Sequence, residues 1–214
     1  MSKVEFQGFP KIPRLFREVV ITEKIDGTNG AIGITVDGVY AQSRNRVISP
    51  SADNHGFAKW VNENAYTLVA DLGPGLHFGE WWGQGIGRNY GLDHKRFSLF
   101  NVKRWEENEL EFGTPGLGVV PVLDRGEMAT LMVKVSLERL RIGGSWAAPG
   151  FMNPEGVVVF HTAGNFLFKA TLSGDEMPKE QMKQQLGAEA LKRAEFRAAS
   201  YQPRHLQMEL GLAA

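Results

Sequence analysis

Residues 21–30, ITEKIDGTNG, set a lysine and an aspartate, Lys24 and Asp26, between an apolar run and a cluster of turn residues. Asp26-Gly27 and Asn29-Gly30 tolerate the positive backbone dihedrals of tight turns, so the stretch reads as a strand running into a turn. The turn does not explain Lys24. A lysine in front of an Asp-Gly turn is most often a solvated strand end, and only side chains delivered from elsewhere in the chain can give it another role.

Working outward, residues 31–43, AIGITVDGVYAQS, read as a hairpin with Asp37-Gly38 as its two-residue turn. Pairing Val36 with Val39 then sets Ala31 opposite Arg44 and Asn29 opposite Arg46, which brings residues 43–46, SRNR, beside the opening motif. Beyond the helix-capping candidates Asp53 and Asn54, the residues Phe57, Trp60, Val61, Leu68 and Val69 recur at helical spacing and predict a packing helix up to Gly73. Residues 75–83, GLHFGEWWG, and 96–102, RFSLFNV, read as strands. Met128, Leu131, Met132, Val135 and Leu140 predict a second helix ending near Gly143-Gly144, with its Met and Leu side chains in the core.

Residues 156–171, GVVVFHTAGNFLFKAT, form a second hairpin pattern with Glu155 at its entry and Lys169 near its exit. A loop over Ala163–Asn165 pairs Val159 with Lys169 and keeps Lys169 on the face of Glu155. A two-residue loop puts it on the opposite face. From Pro178 onward an amphipathic helix with balanced charge is predicted, so the chain divides into a body of residues 1–175 and a helical appendage of residues 176–214.

Composition narrows the chemistry. At 214 residues, with 43% apolar and 22% charged residues, the chain suits one globular body with a sizeable core. Neither an N-terminal leader pattern nor a membrane-length apolar run is evident, so a soluble, cytoplasmic protein with no membrane partner is expected. With no cysteine, thiolate zinc sites are excluded and any metal must use oxygen or histidine ligands. The 24 Lys+Arg balance 24 Asp+Glu, which excludes a polybasic arm. Charge is uneven, however. Arg88, Lys95, Arg96, Lys103 and Arg104 crowd one stretch against Asp93 alone, before Glu106, Glu107, Glu109 and Glu111, so a local basic face is one reading and solvated loops the commoner one.

Lys24, Arg44, Glu80, Phe100, Glu155 and Lys169 therefore fall in order near predicted strand ends, most beside glycine. In that order the sequence resembles the covalent nucleotidyltransferase superfamily of polynucleotide ligases and capping enzymes, and most closely its ATP-dependent RNA ligase branch. EKIDG is similar to the Lys-x-Asp-Gly nucleophile motif. SRNR, FGEWWG, FSLFN, PEGVVV and FKAT resemble the elements that follow it, together spanning residues 23–171.

The resemblance implies an α+β fold, with antiparallel sheets flanking a nucleotide cleft and helices around them. It also implies the chemistry. Lys24 would attack the α-phosphate of ATP, form a lysyl-AMP and release pyrophosphate; AMP would then pass to a 5′-phosphate, which is sealed to a 3′-hydroxyl. A lysine is protonated at neutral pH unless perturbed, so positive neighbours or desolvation must discharge it. By the same resemblance Glu23 and Asn29 would help hold the nucleotide, Arg44 would contact ribose or phosphate, and Glu80 the ribose hydroxyls. Phe100 would stack on the purine, Glu155 would organise Mg2+ or Mn2+, and Lys169 would grip the α-phosphate.

Two departures stand out. The last motif of the family carries two lysines one residue apart, whereas Thr171 follows Lys169 here; Asn101 stands where many RNA ligases have aspartate. Both bear on later steps and on substrate choice more than on adenylylation. The stretch after Thr171 is too short and too helical for the OB-fold domain that follows in DNA ligases and capping enzymes. The expected substrate is therefore broken or nicked RNA, handled by a monomer. A minimal DNA ligase and a non-catalytic nucleotide-binding module of the same fold are the rival readings.

Overall fold

The computed structural model describes residues 6–105 and 111–173. The predicted C-terminal helix and the acidic run at 106–110 lie outside the described residues. Two sheets carry the fold. The first is four-stranded, in the order β10-β9-β1-β8; the second is six-stranded, in the order β4-β3-β2-β5-β6-β7. Their strands are β1 (Glu18–Lys24), β2 (Thr28–Thr35), β3 (Gly38–Ser43), β4 (Val47–Ile48), β5 (Gly75–Gly83), β6 (Lys95–Leu99), β7 (Leu117–Val119), β8 (Val122–Glu127), β9 (Gly156–His161) and β10 (Phe166–Thr171). All pairings are antiparallel except that of β6 with β7. This is the α+β arrangement the sequence predicts, with β4, β7 and β8 added.

The run of apolar residues before Lys24 has a direct cause: β1 is buried on both faces. Val19 and Ile21 face helix α4 (Thr130–Gly143) together with Leu123, Leu140, Val157 and Val159. Val20 points the other way, into the layer between the sheets, beside Ile25, Trp82, Tyr90 and Val120. After Lys24 the chain leaves the first sheet, turns through Ile25–Gly27 and enters the second as β2. The motif that opens the sequence is therefore the crossover between the sheets.

The six-stranded sheet buries Ile32, Ile34, Trp81 and Phe97 against Phe57, Val61 and Leu68. The rings of Phe57 and Phe97 stack at 4.9 Å between centroids, and Trp60 and Trp81 lie 5.2 Å apart. Each such side chain contributes about 1.5–3 kcal/mol through burial. The single helix predicted here is two, α1 (Phe57–Glu63) and α2 (Ala65–Leu72), with the break at Asn64. Asn64 has left helical dihedrals, and its side-chain amide donates to the Trp60 carbonyl at 2.8 Å, which competes with a continuous helix. Asp53 does serve the N-terminus, accepting the Ala58 and Lys59 amides at 2.7 and 3.0 Å. A short third helix, α3 (Val102–Trp105), follows Phe100, so the strand predicted over 96–102 stops at Leu99.

The first hairpin closes one residue earlier than predicted. Its loop is Val36-Asp37, so Thr35 pairs with Gly38 and Ala31 with Gln42 rather than Arg44. Thr35 decides this, because its hydroxyl accepts the Asp37 amide at 3.2 Å and donates to the Gly38 carbonyl at 3.3 Å. The slip moves partners by two positions, which preserves every side-chain face. The second hairpin turns through Thr162–Asn165, the stretch its two apolar strands flank in the sequence, and this four-residue turn gives a register between the two alternatives, with Lys169 paired to Val158.

Candidate nucleotide and nucleophile site

Lys24 ends β1, paired with Gly156 at the start of β9. Through the same registers Thr22 aligns with Val158 and Val158 with Lys169. Lys24 and Lys169 therefore share one face of the four-stranded sheet, the face that Val20 turns toward the second sheet. By strand alternation Glu155 belongs to the opposite face, yet Lys24 Nζ donates to Glu155 Oε2 at 2.6 Å. Gly156 makes this possible. Its φ of +153° departs from the pleat, and a Cβ there would run into the Ala170 carbonyl, so only glycine fits at this point. Glu155 is bent back toward Lys24, which resolves the conflict that the even-numbered loop creates.

The opposite wall of the cleft comes from the second sheet. Across β2, β5 and β6 the residues Asn29, Glu80 and Ser98 form one row. In the next row on that face Ala31 pairs with Phe78, and the Phe100 amide donates to the Phe78 carbonyl at 3.0 Å. Rows on one face of a sheet are about 7 Å apart, close to the span from a ribose to the centre of its base. Phe78 and Phe100 are 48% and 40% exposed, which leaves both rings open to a planar partner. The result is a polar row beside an aromatic row. Ser98 Oγ is occupied from below, accepting Trp82 Nε1 at 2.9 Å.

Glu80 is the electrostatic centre of that wall. Its Oε1 accepts the Gly27 amide at 3.1 Å, so the carboxylate shapes the turn after Lys24. Burial pushes its pKa up to about 7; the Lys24 ammonium and the Gly27 amide pull it down, while Glu155 and Asp26 add to the rise. A folded-state value above the ordinary 4.5 means that the folded protein holds this proton more tightly. The stabilisation is complete below about pH 4.5 and is lost as pH rises through about 7. Wild type should therefore lose about 2–3 kcal/mol relative to Glu80→Gln between pH 4.5 and pH 8. Parallel melting curves for the two proteins across that range would refute the assignment.

The other sequence-predicted residues separate. Asn29 lies beside Glu80 on the cleft wall. Arg44 is exposed in the bend after β3. Lys169 is exposed on the cleft face of the edge strand β10. The Glu23 side chain requires a correction, because it does not enter the cleft. It alternates to the face away from Lys24, is 1% exposed, and accepts from Ser145 Oγ at 2.6 Å and from the Trp146 and Ala147 amides at 2.7 and 2.9 Å. Burial still raises its pKa against those three donors. Glu23 braces the 145–148 loop.

Four of the five cations in the basic stretch have partners within the protein, and Lys103 is exposed. Lys95 Nζ donates to the His55 carbonyl at 2.9 Å, Arg96 lies over the Trp82 ring, and Arg104 donates to the Leu72 carbonyl at 2.9 Å while covering Trp105. Arg88 reaches Asp26. Sequence reasoning missed Phe78, although its place two residues before Glu80 puts it on the same strand face.

Among the described residues no group of three or more His, Asp or Glu is arranged to hold a metal. The carboxylates at the cleft, Glu155 and Glu80, offer the hard oxygen donors that Mg2+ or Mn2+ takes singly, with water and substrate phosphate completing the shell.

The protein is similar in fold to Naegleria gruberi RNA ligase. A ligand-free lysine-to-alanine variant of that enzyme matches with a TM-score of 0.54 and 21% identity, covering 72% of this chain and 49% of the other. A glutamate-to-alanine variant with ATP and Mn matches with a TM-score of 0.53 and 21% identity, covering 73% and 50%. The chain thus spans about half the length of the solved structures it matches. No curated protein matches. Among the described residues no helix is long and apolar enough to cross a membrane. The RNA ligase family model matches residues 17–171, from the start of β1 to the end of β10 and so through every strand of both sheets: the chain belongs to the RNA ligase family of nucleotidyltransferases.

Proposed function

We propose that this protein is an ATP-dependent RNA ligase that works through a lysyl-AMP. The observation that carries this reading is the 2.6 Å contact of Lys24 Nζ with Glu155, held at the mouth of a cleft whose other wall has a polar row beside an aromatic row. Phe100, with Phe78, would take the two faces or one face and edge of adenine, and Asn29 and Glu80 would meet the ribose hydroxyls. Lys169, on the face of Lys24, would hold the α-phosphate, and the exposed Arg44 would reach ribose or phosphate from the rim.

In the first step the Lys24 amine, once it has given up its proton, attacks the α-phosphorus. A nitrogen–phosphorus bond forms, the bond to the bridging oxygen breaks, and pyrophosphate leaves with that electron pair. Glu155 orients the amine and is a nearby acceptor for its proton. In the second step an oxygen of an RNA 5′-phosphate displaces Lys24 from the AMP phosphorus. In the third the 3′-hydroxyl attacks the activated 5′-phosphate and AMP departs. Mg2+ or Mn2+ bound through Glu155 would neutralise charge on the phosphates.

The proposal extends to nicked or broken RNA with 5′-phosphate and 3′-hydroxyl ends, handled by a monomer in the cytoplasm. Two supports bear on RNA: the family and the fold. Joining assays on matched nicked duplexes, with RNA or DNA as the sealed strand at equal salt, test it. Faster sealing of RNA is the expected result. Preferential sealing of DNA would convert the proposal to a minimal DNA ligase, and AMP transfer to neither would reduce it to nucleotide binding.

A further inference from the structure

The β1–β9 ladder, which pairs Lys24 with Gly156 next to Glu155, ends at Lys24 itself. Beyond that point the two segments part. One continues through Asp26 into the second sheet, and the other arrives from Asn153 and Pro154. Arg88, on the connection between β5 and β6, lies between them. Its Nε is 3.4 Å from Asp26 Oδ2, and its NH1 donates to Asn153 Oδ1 at 2.8 Å and to the Asn153 carbonyl at 3.3 Å. The pair is sheltered, with side-chain exposures of 19% and 27%. Arg88 Nε is buried and lacks a close hydrogen-bond partner, a donor facing Asp26 at slightly too long a distance.

The connection itself is held in one costly conformation. Asn89 and Tyr90 have φ of +62° and +51°, a region that non-glycine residues occupy only when their surroundings impose it. Gly87 packs so tightly on the Asp26 carbonyl that a Cβ would collide with it. Tyr90 anchors the segment, with its ring 5.0 Å from Trp82 and 4.7 Å from Phe151. Its hydroxyl accepts the Asp26 amide at 2.8 Å. Three independent contacts from this connection thus converge on Asp26, two residues after Lys24.

We infer that Arg88 is a positioning residue that fixes Lys24 against Glu155 for attack, by clamping the Asp26 turn to the Asn153 segment where the strand ladder stops. This inference rests on the adenylylation reading above. Arg88 acts through its two partners: its fork joins the carboxylate of one segment to the amide side chain and carbonyl of the other, which a lysine ammonium on a flexible stem does not reproduce. A misplacement of about 1 Å at the reacting atoms costs on the order of a hundredfold in rate.

Two measurements on the full chain decide it. In the first, the rate of lysyl-AMP formation is followed against ATP concentration. Arg88→Ala should slow the rate at saturating ATP by about 10- to 100-fold while the half-saturating ATP concentration stays within about threefold of wild type. Arg88→Lys should recover little of the rate. The double variant Arg88→Ala with Asp26→Asn should be no slower than the slower single variant. An effect confined to ATP affinity would make Arg88 a nucleotide ligand, and multiplicative losses would make the two residues independent; either overturns the inference.

The second measurement needs no ATP: reductive methylation of Lys24, mapped by mass spectrometry against the exposed Lys59. Release of the clamp should raise the Lys24 to Lys59 ratio by about threefold or more, and an unchanged ratio overturns the inference. If wild type forms no adduct, the ligase reading falls and the methylation ratio alone decides the role of Arg88. If Arg88→Ala does not fold, Asn153→Ala, which removes only one acceptor of the fork, is measured with the same outcomes.

Discussion

Lys24→Ala is expected to remove the covalent AMP label entirely. With labelled ATP and Mg2+ or Mn2+, wild type should acquire one acid-labile AMP per chain, and the variant none above background. The expectation is absolute because a phosphoramidate needs an amine at the α-phosphorus. On the cleft face of the four-stranded sheet the other lysine is Lys169, one strand beyond β9 and level with Thr22 rather than with Glu155. Substitution leaves Glu155, whose side chain is 8% exposed, without its 2.6 Å partner, so a stability loss of about 1–3 kcal/mol accompanies it. Circular dichroism in the aromatic region therefore belongs beside the labelling assay. Label on a folded alanine variant would move the nucleophile elsewhere, and a folded wild type that never labels would end the enzyme reading.

Glu155→Gln should have the second largest effect, lowering the rate of lysyl-AMP formation by about 100- to 1,000-fold. The side chain is almost fully enclosed and its charge faces Lys24, so the amide isostere keeps volume and a hydrogen-bond acceptor while removing the negative charge. On the proposed reading the substitution removes the acceptor for the Lys24 proton and leaves a neutral oxygen where a charged one would orient the amine and bind a divalent cation. Single-turnover labelling with Mg2+ and with Mn2+ measures the loss directly. Supplying RNA already adenylylated at its 5′ end bypasses the first step and shows whether sealing suffers as well. A Glu155→Gln protein that labels at the wild-type rate would demote the contact to a structural ion pair.

Local chemistry explains how much of this the sequence carried. The opening motif, the two hairpins and strands β5 and β6 were legible because alternation and turn residues are local signals. Leu117–Val119 and Val122–Glu127 were not, since three-residue β7 takes its identity from a parallel pairing with β6, and LDRGE in β8 looks like a solvated turn until Glu18–Thr22 pairs with it. Asn64 splits a helix that apolar periodicity runs through, because periodicity does not register a side-chain bond to Trp60.

For the candidate site, order along the chain is a weaker guide than strand parity. Lys24, Asn29, Glu80 and Glu155 lie together, but strand parity turned Glu23 to the other side, where the Ser145 hydroxyl and two amides await it. Glu155 shows the reverse case. Parity excluded it and the positive φ of Gly156 returned it. The basic stretch was left open in the sequence for a different reason: a count of arginines and lysines cannot distinguish a phosphate-binding face from cations bound to carbonyls and indole rings.

The crossover between the sheets also bears on how the chain is made. The antiparallel pairs of the six-stranded sheet all fall within residues 28–99, a compact stretch whose loops are cheap to close. Strand β1 is different, because its partners β8 and β9 lie near the far end of the described chain. During synthesis the six-stranded sheet can assemble while β1 waits for residues 156–161 to emerge, so contact order makes docking of β1 the late, slow event. Lys24 is thus translated before its partner strand and seated only when that strand arrives. On the proposed reading, a chain stalled before β9 would have one packed sheet and an unpaired Lys24, and would not consume ATP.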